Sequence, residues 1–153
     1  MSKGLRGVLS VLLLLLILLT LGFIWGNSML DRDSSSGVSN SLLDCLRPFL
    51  SFFGFEPESD HLLRKLAHFC EFGLLGVELT VFVRLRRGKS MKGLGFVPFI
   101  CLQAAAADEV IQYYSGRASR LSDVLLDFSG SLCGIAGVCL LVWLWQRRAT
   151  DKK

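Results

Sequence analysis

The chain has 153 residues, 52% of them hydrophobic, and a positive mean hydropathy of +0.50. A water-soluble domain of this length is less apolar and lacks such long uncharged runs, so an ordinary soluble enzyme is excluded. The formal charge of +4 is gathered into short stretches, which argues against a nucleic-acid-binding surface and against nucleic acid as a partner.

A helix needs about 20 apolar residues to cross a hydrocarbon core about 30 Å thick. The first such segment is 8–25, VLSVLLLLLILLTLGFIW, which carries no charge. Lys3 and Arg6 ahead of it would also suit a signal peptide, but the run is long for one and no small-residue cleavage pattern follows. The connection 26–61 opens with a polar stretch containing SSSG and is acidic on balance. Within it, Leu42, Leu43, Leu46, Phe49, Leu50 and Phe53 recur at helical spacing around Pro48. That piece, 41–55, is too short to span. It reads as an amphipathic segment at the outer membrane interface, or as a lid over the bundle.

The second span, 62–83, is apolar apart from a few ionisable residues that include His68, Glu71 and Glu78. It leads into Arg84, Arg86, Arg87, Lys89 and Lys92. The third span, 94–114, carries Asp108, Glu109 and Gln112 near its end, and a tight polar connection with Arg117 and Arg120 follows. The fourth, 124–145, has Asp127 near its start and ends on Trp143 and Trp145, an interfacial aromatic pair. Basic residues crowd the N-terminus, the second-to-third connection and the tail, so the positive-inside rule puts all three in the cytoplasm. The expectation is an all-α membrane protein: one domain over 1–153, a four-helix transmembrane bundle with both termini inside. The five cysteines show no CxxC spacing and read as apolar fillers.

Lipid cannot solvate a charge, so ionisable residues inside spans mark candidate sites. Arg64, His68 and Glu71 fall on one helical stripe, Asp108 and Gln112 on another, and Asp123 and Asp127 on a third. Gly130, Gly134 and Gly137 continue that third face, with a GxxxG spacing that lets helices approach closely. The topology gathers Arg64, Lys65, His68, Asp108, Glu109, Gln112, Arg117, Arg120, Asp123 and Asp127 at the outer end. These charges would either knit the helices together or line a pocket. The cations suit an anionic head group, and His68 with carboxylates suits acid–base chemistry. His68 with Asp108, Glu109 or Asp123 could also ligate a divalent metal. However, the H-x-x-E pair His68 and Glu71 has no second ligand motif beside it, so neither a metal nor another cofactor is expected.

Two blocks of these residues resemble the VanZ-like family. The first is Arg64, Lys65, Ala67, His68, Phe69, Glu71, Phe72, Leu75 and Gly76; the second is Asp108, Glu109, Gln112, Gly116, Arg117, Asp123, Asp127, Gly130 and Gly134. Position 72 is Phe where the family often shows Tyr, and position 127 is Asp where Asn is usual. The resemblance implies a small bacterial cytoplasmic-membrane protein of the cell envelope. It also implies an association with antibiotic resistance of the teicoplanin type, teicoplanin being a lipid-tailed glycopeptide.

Two functional expectations follow. In one, the outer pocket binds an amphipathic or lipid-linked anionic ligand among membrane lipids. Arg64, Lys65 and Arg117 take the anionic group, Asp108, Glu109 and Asp127 orient those cations or bind an amine, and Gln112 and Asp123 belong to the same ligand site. In the other, the chain is an intramembrane enzyme acting on such a lipid, with His68 as general base, Asp108 or Asp123 as its orienter, Glu109 as acid and Arg117 as anion clamp.

Overall fold

The structure is a computed structural model that describes residues 2–29, 60–88, 93–117 and 119–150, without the side chains of 60–63, 149 and 150. The amphipathic segment expected at 41–55 lies outside the described residues. Those described form four helices and no strand: α1 (Lys3–Met29), α2 (Asp60–Arg87), α3 (Phe96–Tyr114) and α4 (Leu121–Thr150). Each helix overruns the apolar stretch that announced it or stops close to its end. Backbone hydrogen bonding continues into Lys- and Arg-bearing flanks, which are good helix formers at the depth of the lipid head groups.

Three helices are long and apolar enough to cross a membrane: α1, α2 over Arg64–Arg87, and α4 over Leu121–Arg148. The four expected spans are thus matched by three that qualify on length and composition. The fourth helix, α3, has 19 residues, about 28 Å at 1.5 Å per residue. It is diluted by Gln103, Asp108, Glu109 and Gln112.

Cross-links fix the directions of the helices. Thr20 and Asn27 of α1 bond Glu78 and Glu71 of α2, so those two run antiparallel. Trp25 and Ser28 meet Ala104 and Gln112, so α1 and α3 run parallel. Lys65 meets Asp123 and the Gly73 backbone meets Gly134, so α2 and α4 also run parallel. The chain therefore goes up, down, up, down. The end of α1, the start of α2, the end of α3 and the start of α4 share one end of the bundle.

Burial is inverted relative to a soluble protein. Leu12, Leu15, Leu16, Leu19 and Phe23 of α1, Leu74 of α2 and Leu140, Leu141 and Trp145 of α4 look outward. Ser28, Glu78, Thr80, Asp108, Glu109, Gln112, Asp127 and Ser131 are buried. Apolar side chains on the outside and polar ones within suit lipid as the solvent, where burying leucine between helices gains nothing over leaving it in acyl chains. A small apolar core, Ile17, Ile24, Phe72, Leu75, Leu79, Leu94, Val97, Cys101, Ala104 and Ala105, fills the centre. Several buried hydroxyls bond back to their own helix, as Thr80 Oγ1 does to the Gly76 carbonyl at 2.7 Å.

The α2–α4 crossing is the tightest feature. A Cβ at Gly130 would overlap the Phe69 carbonyl, and one at Gly134 would overlap that of Gly73. On the facing helix, a Cβ at Gly76 would overlap the Ser131 carbonyl. The GxxxG expectation thus holds at Gly130 and Gly134. Gly137, which only continues the same face, has nothing within 4 Å, because two helices crossing at an angle touch over a limited length and then diverge.

Candidate functional site

The polar end is built by two local devices. The first is the stop of α3. Gly116 takes φ +74, a left-handed conformation open to glycine without strain. The Arg117 N–H then donates to the Gln112 carbonyl at 3.0 Å and the Gly116 N–H to that of Tyr113 at 3.2 Å. This is the Schellman pattern, which satisfies the helix's last carbonyls and turns the chain toward α4. The second device is Glu109, whose Oε1 accepts the Arg120 N–H and pins the connection back onto α3. The Asp123 N–H donates to the Arg120 carbonyl at 2.9 Å as α4 begins.

Within this frame, His68 Nδ1 lies 3.8 Å from Asp108 Oδ2 and 3.9 Å from Glu71 Oε2. Asp108 is completely buried. Its Oδ2 accepts from Gln112 Nε2 at 2.6 Å, and the same amide also donates to Ser28 Oγ at 3.4 Å. Lys65 Nζ donates to Asp123 Oδ1 at 2.7 Å across α2 and α4, both side chains being partly exposed. The positive charges of Arg117 and Arg64 and the negative charge of Asp123 also reach His68. Asp127 is 2% exposed and sits in the field of Asp108, Glu109, Asp123 and Glu71.

All ten residues that the sequence gathers at the outer end thus fall at one end of the bundle, in different situations. Lys65 and Asp123 pair with each other, and one oxygen of Glu109 closes a turn. His68 and Asp108 are neighbours, with Gln112 orienting the carboxylate, while Asp123 is engaged elsewhere. Asp127 comes closer to this centre than its spacing suggested: donor atoms of His68, Asp108 and Asp127 all lie within 4.8 Å of one another. The sequence offers Asp108, Glu109 or Asp123 beside His68 as metal ligands; the structure groups Asp108 with His68 and adds Asp127.

Sequence reasoning missed Asn27 and Ser28, which sit just past the apolar run of α1 and read as the start of a loop. Asn27 bonds Glu71 and Ser28 bonds Gln112. The only available signal was the Gly-Asn-Ser step that ends the leucine run.

Three reaches are open to this arrangement chemically. A histidine beside an oriented carboxylate can move a proton. Arginines at the rim can hold an anion. Carboxylates with an imidazole can hold a divalent cation. No curated protein and no solved structure matches this chain. One protein-family model does, described as VanZ/LLP1: it covers residues 8–144, nearly the whole chain, and the protein belongs to that family.

Proposed function

We propose that this VanZ/LLP1-family membrane protein crosses the bacterial cytoplasmic membrane four times with both termini inside, α3 being the short fourth span. Its outward end would hold the anionic head group of an amphipathic ligand: a phospholipid, a lipid-linked wall precursor or a lipid-tailed glycopeptide. The orientation rests on charge. Lys3 and Arg6, the Arg84–Arg86–Arg87 group and Arg147 with Arg148 all sit at the end opposite the polar cluster, as cytoplasmic flanks do.

One observation carries the pocket. At the polar end, Arg64 Nε, His68 Nδ1, Glu71 Oε2, Asp108 Oδ1, Glu109 Oε2 and Asp127 Oδ1 are buried without a hydrogen-bond partner among the described residues. Charges that serve only as links between helices are paired, as Lys65 and Asp123 are. Orphaned buried atoms cost about 1–3 kcal/mol each, more when charged, and are retained where something else completes them. Arg64, whose Nε has no partner among the described residues, is the first cation for the head group, and Arg117 adds its charge nearby.

The test is native mass spectrometry of the purified protein in detergent, titrated with phosphatidylglycerol or phosphatidylethanolamine. The expectation is preferential phosphatidylglycerol adducts that fall severalfold in Arg64→Gln. Equal adducts with both lipids, unchanged by the substitution, would overturn the reading.

The His68–Asp108 proximity favours a second reading, an intramembrane enzyme working on the same class of ligand. His68 would be the base, Asp108 its orienter through Gln112, and the free oxygen of Glu109 the acid site. Membrane lipids and lipid-linked precursors from cells expressing the parent or His68→Ala at matched levels separate the two readings. A species that appears only with the parent means catalysis, and identical profiles mean binding.

A further inference from the structure

We propose that His68, Asp108 and Asp127 form a binding site for a divalent metal ion of the Zn²⁺ or Mn²⁺ class. Each carries one atom that is buried and without a hydrogen-bond partner among the described residues: His68 Nδ1, Asp108 Oδ1 and Asp127 Oδ1. These three come from three different helices and sit in one group whose donor atoms lie within 4.8 Å of one another. The two carboxylates are 0% and 2% exposed, so water does not serve them freely.

Two buried like charges facing each other in a low-dielectric interior repel strongly. A dication between them turns that repulsion into attraction. An imidazole nitrogen with two carboxylate oxygens is a hard-to-borderline donor set, suited to Zn²⁺ or Mn²⁺. Bonds of about 2.1 Å in tetrahedral geometry place donors about 3.4 Å apart, so closure needs side-chain movements of about 1 Å. Gln112 already plays the part of a supporting partner. It donates to Asp108 Oδ2, the oxygen 3.8 Å from His68 Nδ1, and so fixes the carboxylate beside the imidazole, as residues behind metal ligands do. Glu71 Oε2, 3.9 Å from His68 Nδ1, stands next to the group.

The site does not depend on the ligand proposed above. The test uses full-length protein in detergent without added lipid, stripped with chelator, reloaded with Zn²⁺ or Mn²⁺, desalted and assayed by elemental mass spectrometry. About one ion per chain is expected in the parent, with metal affinity at least tenfold weaker in Asp127→Asn and His68→Gln and unchanged in Glu78→Gln. Size-exclusion profiles and helicity identify any variant that has lost its fold. Should both site variants do so, the parent's own loading decides. A parent that retains less than about one ion per ten chains, or site variants that load as the parent does, would overturn the proposal. A failed metal site with an intact phosphatidylglycerol preference would leave the head-group reading standing.

Discussion

Replacing Gly134 with alanine probes the crossing that holds α2 and α4 at their present separation, and with it the register of the polar end. The new Cβ would overlap the Gly73 carbonyl oxygen and lie 3.1 Å from both the Gly73 carbonyl carbon and the Val77 nitrogen. These are backbone atoms of a packed helix, so no side chain can swing away. Restoring ordinary contact requires the helices to part by about 1 Å, and overpacking of this kind costs about 1–3 kcal/mol. Alanine is intrinsically better than glycine in a helix by about 1 kcal/mol, which masks part of the loss. Gly137→Ala supplies the correction: it carries the same propensity gain with nothing within 4 Å of the new methyl. The two variants should differ by about 2 kcal/mol, Gly134→Ala being the weaker. Unfolding in mixed detergent–dodecyl sulfate micelles, followed by helicity, reads this difference. Equal midpoints for the two variants would refute the close approach.

Other substitutions follow from the same geometry. Asp108→Asn keeps the shape and the Gln112 contact, so the protein should reach the membrane at an undiminished level; immunoblotting of membranes would show a collapse if the carboxylate served only as glue. Thr20→Val removes the donor 3.0 Å from Glu78 Oε1 and leaves a buried acid whose other oxygen already has no partner among the described residues. It should destabilise by about 1–3 kcal/mol in the micelle assay, and Glu78→Gln in that background should recover part of the loss. Lys65→Met breaks a pair whose side chains are 31% and 24% exposed. It should cost at most about 1 kcal/mol, and a larger loss would mean the pair is a principal strut of the bundle.

Much of the fold was legible because a bilayer imposes a simple rule: long uncharged runs are helices, and ionisable residues inside them turn inward. The runs at 8–25 and 124–145 needed only counting, and the GxxxG pair needed only spacing. Helix ends were less legible, since a hydropathy pattern reports contact with acyl chains while hydrogen bonding runs on to Met29 and Thr150. The third span was less legible for a related reason: α3 is not among the three helices that qualify on length and apolarity. Its alanines and glutamines pass as membrane-compatible by eye, yet α3 falls short of the other helices in apolarity and draws its fit from packing among them.

At the site, residue spacing sorted faces correctly but not pairings. Asp123 and Asp127 share a face of α4, yet one turn between them decides their fates. Asp123 lies level with Lys65 at the rim, and Asp127 lies level with His68 and Asp108 inside. That choice depends on the height at which α2 crosses α4, fixed by Gly130 against the Phe69 backbone, and a single sequence does not show this height. Asn27 and Ser28 escaped notice because polar residues after an apolar run are indistinguishable from a loop until the helix is seen to continue.

The outward orientation of the polar end is the point on which the account most depends, and site-directed thiol labelling in intact cells measures it directly. A cysteine is placed at Ser119, in the connection beside the cluster, or at Gly88, at the opposite end, in a chain freed of its own five cysteines. A membrane-impermeant maleimide should label the Ser119 position from outside and reach the Gly88 position only after the cells are opened. Labelling of Gly88 in intact cells with Ser119 protected would contradict the account, turning the cluster toward the cytoplasm and removing the extracytoplasmic ligand with it.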